Sequence, residues 1–172
     1  MKKVILFFAL VAGFSCNDGD LDISSFEFED EVNICGTTQY TLYRLSTGEQ
    51  REALIVTLTN QQIRKDEDIV APVRVTETGD FTVTYRLFSE QVTDDYFCAA
   101  VPPVTPEVVK DWRGTSGSIV VENQPVYDAE GLNITGWQHY IVLIDVVLVV
   151  DDQELKLDET FLFGTVQTGP AS

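Results

Sequence analysis

Apolar and polar side chains alternate along much of the chain from residue 26 onward. Phe26 and Phe28 alternate with Glu27 and Glu29, Leu54, Val56 and Leu58 with Thr57 and Thr59, and Phe81, Val83, Tyr85 and Leu87 with Thr82, Thr84 and Arg86. A period of two sends one set of side chains to a buried face and the other to water, as a half-buried strand requires. Residues 39–45, 69–76 and 118–122 are further strands, and Thr47-Gly48, Thr78-Gly79-Asp80 and Ser116-Gly117 read as turns between them. Residues 140–150 are apolar on both parities apart from Asp145, which predicts a long central strand covered on both faces. A second run over 154–166 places Leu155, Leu157, Phe161 and Phe163 on one face, so the two runs form a C-terminal hairpin. Together these elements predict an all-β, antiparallel β-sandwich.

Residues 99–117 break the alternation. Pro102, Pro103 and Pro106 bar the segment from a central strand, and it is expected to cross between the two sheets. Within it, Thr105 is placed to cap a short helical turn with Pro106 in first position and Val108, Val109 and Trp112 on one face.

The first residues follow a different plan. Lys2 and Lys3 precede an apolar stretch from Val4 to Gly13, then Ser15, Cys16 and the acidic Asn17-Asp18-Gly19-Asp20. That order is one of a secretory signal with a processing site, and the apolar run is far shorter than the roughly 20 residues that span a bilayer. The segment Gly13-Phe14-Ser15-Cys16 resembles the lipobox of bacterial lipoprotein precursors, departing from its commonest form at Phe14. The resemblance implies acylation of Cys16 and cleavage before it. The acids that follow are similar to the export signal of surface lipoproteins in outer membranes of the Bacteroidota type, which implies outward display. The expected organisation is a signal peptide over 1–15, an acidic lipidated tether over 16–22 and one domain over 23–168.

Charge narrows the choice of partners. Without residues 1–15 the 11 basic residues fall to 9 against 28 acidic ones, a formal balance of −19. Such a field repels phosphate backbones and anionic lipid heads, so no nucleic-acid partner is expected. The membrane partner enters through the anchor alone.

Cys35 and Cys98 remain once Cys16 is assigned to lipid. In an oxidising compartment a pair of cysteines reads as a disulfide, with two buried thiols as the alternative. A metal reading lacks ligands, because His139 is the single histidine and no Cys-x-x-Cys occurs. The segment Asp94-Asp95-Tyr96-Phe97-Cys98-Ala99 resembles the end of strand F in immunoglobulin variable domains, with a tyrosine two residues before the second cysteine. That likeness implies an inter-sheet disulfide in an immunoglobulin-like sandwich.

Candidate chemistry is sparse. His139 begins the long strand without the Gly-x-Ser-x-Gly elbow of a hydrolase, and neither a phosphate loop nor a dinucleotide fingerprint occurs, so the reading is non-enzymatic. Residues 17–22, Asp66-Glu67-Asp68 and Asp94-Asp95 carry oxygen ligands suited to calcium, but none has the EF-hand spacing. No metal and no cofactor are expected. Trp112, Tyr127, Trp137 and Tyr140, flanked by Asn123, Gln124 and Gln138, are the candidate ligand-binding aromatics for a glycan module. The leading reading is a surface-exposed interaction or accessory module of the outer membrane, which docks through an apolar patch or by strand addition at an open edge. Glycan binding is the alternative, and a hydrolase or a calcium-stabilised adhesin ranks behind both.

Overall fold

The computed structural model describes residues 27–63 and 69–169. The signal peptide, Cys16 and its tether, Phe26 and the Asp66-Glu67-Asp68 cluster lie outside these residues. Nine strands and one short helix follow in chain order: β1 (Asn33–Gly36), β2 (Gln39–Leu45), β3 (Glu52–Thr59), β4 (Ile69–Arg74), β5 (Val83–Phe88), α1 (Asp94–Cys98), β6 (Val108–Tyr127), β7 (Ile134–Val150), β8 (Gln153–Lys156) and β9 (Thr160–Thr168). All pairings are antiparallel, in the order β1-β2-β3-β5-β6-β7-β8, with β4 added on β6 and β9 on β7. The all-β antiparallel sandwich expected from the alternation is present.

Its construction depends on the β6–β7 hairpin, which belongs to both layers. The first part of β6 pairs with β5 through Val108–Arg113, and its later part pairs with β4 through Ser118–Glu122. Likewise Trp137–Ile144 of β7 pairs with β9, and Val147–Val150 pairs with β8. Where the hairpin passes from one layer to the other, the register shifts at Gly114/Ser116 and Ser116/Ser118, and Gly117 and Asp145 take positive φ values of 105° and 51°.

These irregularities keep the buried face continuous through the bend. On β6 the buried positions are Trp112 and Gly114 before it and Ile119, Val121 and Asn123 after it. On β7 they include Trp137, His139, Ile141 and Leu143 before it and Val146 and Leu148 after it. Each strand thus changes parity once. An uninterrupted strand would have turned the apolar set of one half to solvent, and a bulge inserts the odd residue that prevents this while bending the strand. One core results, with Leu54, Val56 and Tyr85 of the first layer facing Ile119, Leu143 and Phe163 of the second.

Arg44 on β2 closes one end of the two layers. Its guanidinium donates to the carbonyls of Glu29 at 2.7 Å and Phe163 at 2.9 Å, and sits 5.9 Å from the centre of the Phe28 ring. Partial burial lowers its pKa from the ordinary arginine value, and nearby Asp30 opposes that shift. Arg44→Met keeps the aliphatic stem and removes the donors, so it is expected to destabilise by about 1–3 kcal/mol, because the carbonyls lose a charged partner. Urea unfolding of the variant measures it.

Other expectations are revised. The layer face turned away from the core is covered most completely at β3, where Ala53, Leu54, Ile55 and Val56 are all buried, whereas Val142, Ile144, Val147 and Val149 of β7 stay half-buried on that side. The cover on β3 is α1, which the alternation does not announce. The helical turn expected from Thr105 is absent, because Val108–Arg113 is drawn into pairing with β5, with Trp112 opposite Tyr85. Prolines carry the chain from α1 to β6, and the passage between layers is made by β6 itself.

Candidate functional site

The covered outer face holds a second apolar cluster. Tyr43, Leu45, Ala53, Ile55, Phe88 and Val92 pack there beneath Tyr96 and Phe97 of α1. Tyr43 stacks on Phe97 with ring centres 4.0 Å apart, and Tyr96 meets Phe88 edge-on at 4.9 Å. The Tyr43 hydroxyl donates to the Asp94 carboxylate at 2.8 Å. Burial, then that neighbouring carboxylate, pushes the phenol well above its ordinary pKa.

Cys35 and Cys98 form the expected disulfide, with Cα atoms 5.4 Å apart. It ties β1 to α1 on the outside of the first layer, rather than joining two sheets as the immunoglobulin likeness implied. The residues that carried that likeness form a helical turn, with Asp94 and Asp95 in the first turn, the end of a helix where negative charge is favourable. Beside the cap, Arg86 and Asp111 form a bidentate cross-strand pair at 2.7 and 2.8 Å. Hydrogen bonding to Asp111 raises the Arg86 pKa, and desolvation acts against it.

His139 is fully buried between the layers. One ring nitrogen is bonded to Asn123 and the other lies 2.8 Å from the Thr168 hydroxyl. The Asn123 amide in turn donates to the Gln62 carbonyl at 3.3 Å. Gln62 accepts from the Thr59 hydroxyl at 2.6 Å, so the chain of polar contacts reaches the end of β3. Buried polar groups of this kind are stable when partnered, and these contacts join β9 to β7, β6 and the turn after β3.

The four candidate aromatics separate. Trp112 and Trp137 are each only 8% exposed, so neither offers a ring face to a sugar. Tyr140 is half-buried, and Tyr127 alone projects, at 51% exposure. Lys110 covers the Trp112 ring, with its ammonium 4.8 Å from the ring centre. Tryptophans on strands at core parity pack inward, and the flanking amides belong to pairing positions rather than to a shared platform. Among the described residues no group of three His, Cys, Asp or Glu side chains is placed to hold a metal ion, and no helix is long and apolar enough to cross a membrane.

Most of the exposed large apolar side chains gather at two projections, with Leu162 of β9 standing apart at 60% exposure. The first is the loop from Ala99 to Pro106, where Val101 and Val104 are 82% and 89% exposed and Val108 and Val109 continue the patch onto β6. Its base is closed by hydrogen bonds between Ser89 and Glu107 at 2.9 and 3.0 Å. The second is the tip of the β6–β7 hairpin, with Tyr127, Leu132 and Ile134. The sequence held both signals, as valines between prolines and as apolar residues around Gly131. The open grooves lie elsewhere, along Glu27, Thr47, Glu49 and Arg51 and along Asp30, Arg44 and Asp158.

The hairpin tip is shaped by Asp128, whose carboxylate accepts from the Leu132 amide at 2.8 Å and the Asn133 side chain at 2.6 Å. The Asn133 bond first, then the Leu132 amide, holds the Asp128 carboxyl below its ordinary value. A carboxyl depressed in the fold contributes above its unfolded pKa of about 3.9 and loses that contribution as pH falls through its folded value. Weaker protection of the Leu132 amide, measured against its intrinsic exchange rate at the same pH, is therefore expected only at pH values below about 3.9, and Asn133→Ala should move the Asp128 titration upward in an NMR experiment.

The strand edges are guarded in different ways. Pro72 interrupts β4, β8 is four residues long, and Arg44 with Val32 covers part of β9 near Phe163 and Gly164. Such devices are those that discourage edge pairing, so the apolar projections are better docking candidates than strand addition. Comparison with known proteins finds no family model, no curated protein and no solved structure that matches this chain.

Proposed function

We propose that the chain is a non-catalytic interaction or accessory module, lipid-anchored through Cys16 and displayed at the outer membrane surface. The observation that carries the interaction reading is the collection of exposed apolar side chains on two projections of a sandwich whose β4, β8 and β9 edges are guarded. The anchor rests on the likeness of the N-terminal segment to lipoprotein precursors, and the Cys35–Cys98 disulfide suits the oxidising compartment that such a segment implies. His139, bonded through both ring nitrogens, has the surroundings of a structural residue. Glycan binding is not carried forward, since its two tryptophans face inward.

Intact mass of the protein purified from membranes of its native host, with and without reduction, tests the anchor together with protease shaving of whole cells. The expected product begins at Cys16, carries acyl chains, gains two hydrogens on reduction and is lost on shaving. An unacylated, soluble product would remove the anchor, and protection from protease would remove outward display.

A further inference from the structure

We propose that the outward face of the second layer is a dimerisation surface, on which a second copy of this chain packs around a two-fold axis along the row Val120–Val142–Leu162. The dimer goes beyond the interaction reading above and does not depend on it. Residues 140–150 are apolar on both parities apart from Asp145, the pattern of a strand covered on both faces. Within one chain, residues 140–144 are covered on one face only. Ile141 and Leu143 point to the core, while Tyr140, Val142 and Ile144 stay half-buried on the outward side. The corresponding cover on the first layer is α1.

The register gathers these side chains into one patch. Val120 of β6 lies opposite Val142 of β7, and Val142 opposite Leu162 of β9, with Tyr140 and Ile144 two residues to either side along β7. Leu162 is 60% exposed, and the preference of strands for β-branched residues does not account for an outward leucine.

Charge selects the occupant. The chain has a formal charge of −17. Yet among the described residues the outward side chains of β6 from Ser118 to Gln124, of β7 from Gln138 to Ile144 and of β9 from Thr160 to Gln167 include a single charged group, Glu122. Beside them β4 contributes the exposed Arg74, opposite Ser118. The face is therefore neutral, and two copies can meet there without the repulsion that their acidic surfaces impose elsewhere. A two-fold axis along the central row exchanges the rows on either side of it. Ile144 of one copy then meets Tyr140 of the other and Arg74 approaches Glu122, while Val120, Val142 and Leu162 meet their own counterparts, as an isologous contact requires. Gln124, Gln138 and Gln167 lie in register at the hairpin end and supply a polar rim. The same axis sets that end against the bend of the other copy, which keeps the two Asp145–Glu159 corners apart.

The test places a photo-reactive benzophenone amino acid at position 162 or, as a reference, 101 in the full-length protein in its native host. Expected from 162 is an adduct of twice the chain mass, mapping to β7 or β9 of the second copy, with 101 giving no such product. Arg74→Glu and Glu122→Arg should each lower the yield about tenfold or more, and the two together should restore it. Both side chains are exposed, so each variant should keep the circular dichroism spectrum of the parent, and a lower yield then reads as a lost contact. No adduct of twice the chain mass from 162, or adducts only to lipid or to other proteins, would overturn the proposal. Single variants without effect, or a loss that the double variant fails to restore, would overturn it as well. Each of these outcomes leaves the interaction reading standing, since that reading rests on the two apolar projections.

Discussion

Replacing Cys35 and Cys98 together with serine is expected to lower stability by about 4 kcal/mol, the chain-entropy value for a cross-link between residues 63 apart. Urea unfolding of the oxidised protein against the double variant measures it, and the slope should rise as the unfolded chain expands. The loss has a local component as well. α1 is five residues long and covers the Tyr43–Phe88 face through Tyr96 and Phe97. An isolated turn of that length has no stability of its own. Without the disulfide, α1 is held by the Tyr43–Asp94 hydrogen bond, the Arg86–Tyr96 side-chain contact and ring packing, so amide exchange in Asp94–Cys98 should accelerate more than in β2 or β3. A loss below about 1 kcal/mol would show that α1 holds its place by packing alone.

Gly117→Ala is expected to destabilise by about 3 kcal/mol or more. The residue has a φ of +105°, and a Cβ built there would lie 2.7 Å from the Val146 Cα and 2.8 Å from the Ile144 carbonyl oxygen. Those are backbone atoms of the neighbouring strand, so the clash cannot be relieved by a rotamer change. Gly48→Ala is the control: its φ is +86° and nothing lies within 4 Å of the added methyl. Backbone strain alone should cost it about 1 kcal/mol, and the difference between the two variants isolates the crowding at the bend. Similar losses in both would mean that the hairpin bends without close approach at residue 117.

Much of the fold was legible in the alternation. β2 was expected over 39–45 and occupies Gln39–Leu45, and the predicted C-terminal hairpin is formed by β7 with β8 and β9. What escaped was whatever depends on a partner far away in sequence. β3 reads as one-faced because Thr57 and Thr59 set the polar parity, and the burial of Ala53 and Ile55 on that side becomes evident only once α1 lies over them. β6 was read as a crossover, a turn and a short strand, because Pro102, Pro103 and Pro106 break the alternation and Ser116-Gly117 resembles a turn, when Gly117 is in fact a bend residue inside a 20-residue strand. The site divides in the same way. Cys35 and Cys98 were paired from their compartment and number, a global argument that survives any local error. Trp112, in the segment read as a crossover, and Trp137, beside the start of the long strand, stood as candidate ligand-binding aromatics, and strand parity turned both inward.

The bend in the β6–β7 hairpin also decides how the molecule can come apart. Since two strands run through both layers, neither layer owns a complete set of strands, and cutting at the bend would leave two fragments each with an open flank. Trp112 reports on the first layer beside Tyr85, and Trp137 on the second beside β9. Fluorescence from variants retaining one tryptophan each should therefore give a single shared urea midpoint, the signature of one thermodynamic unit.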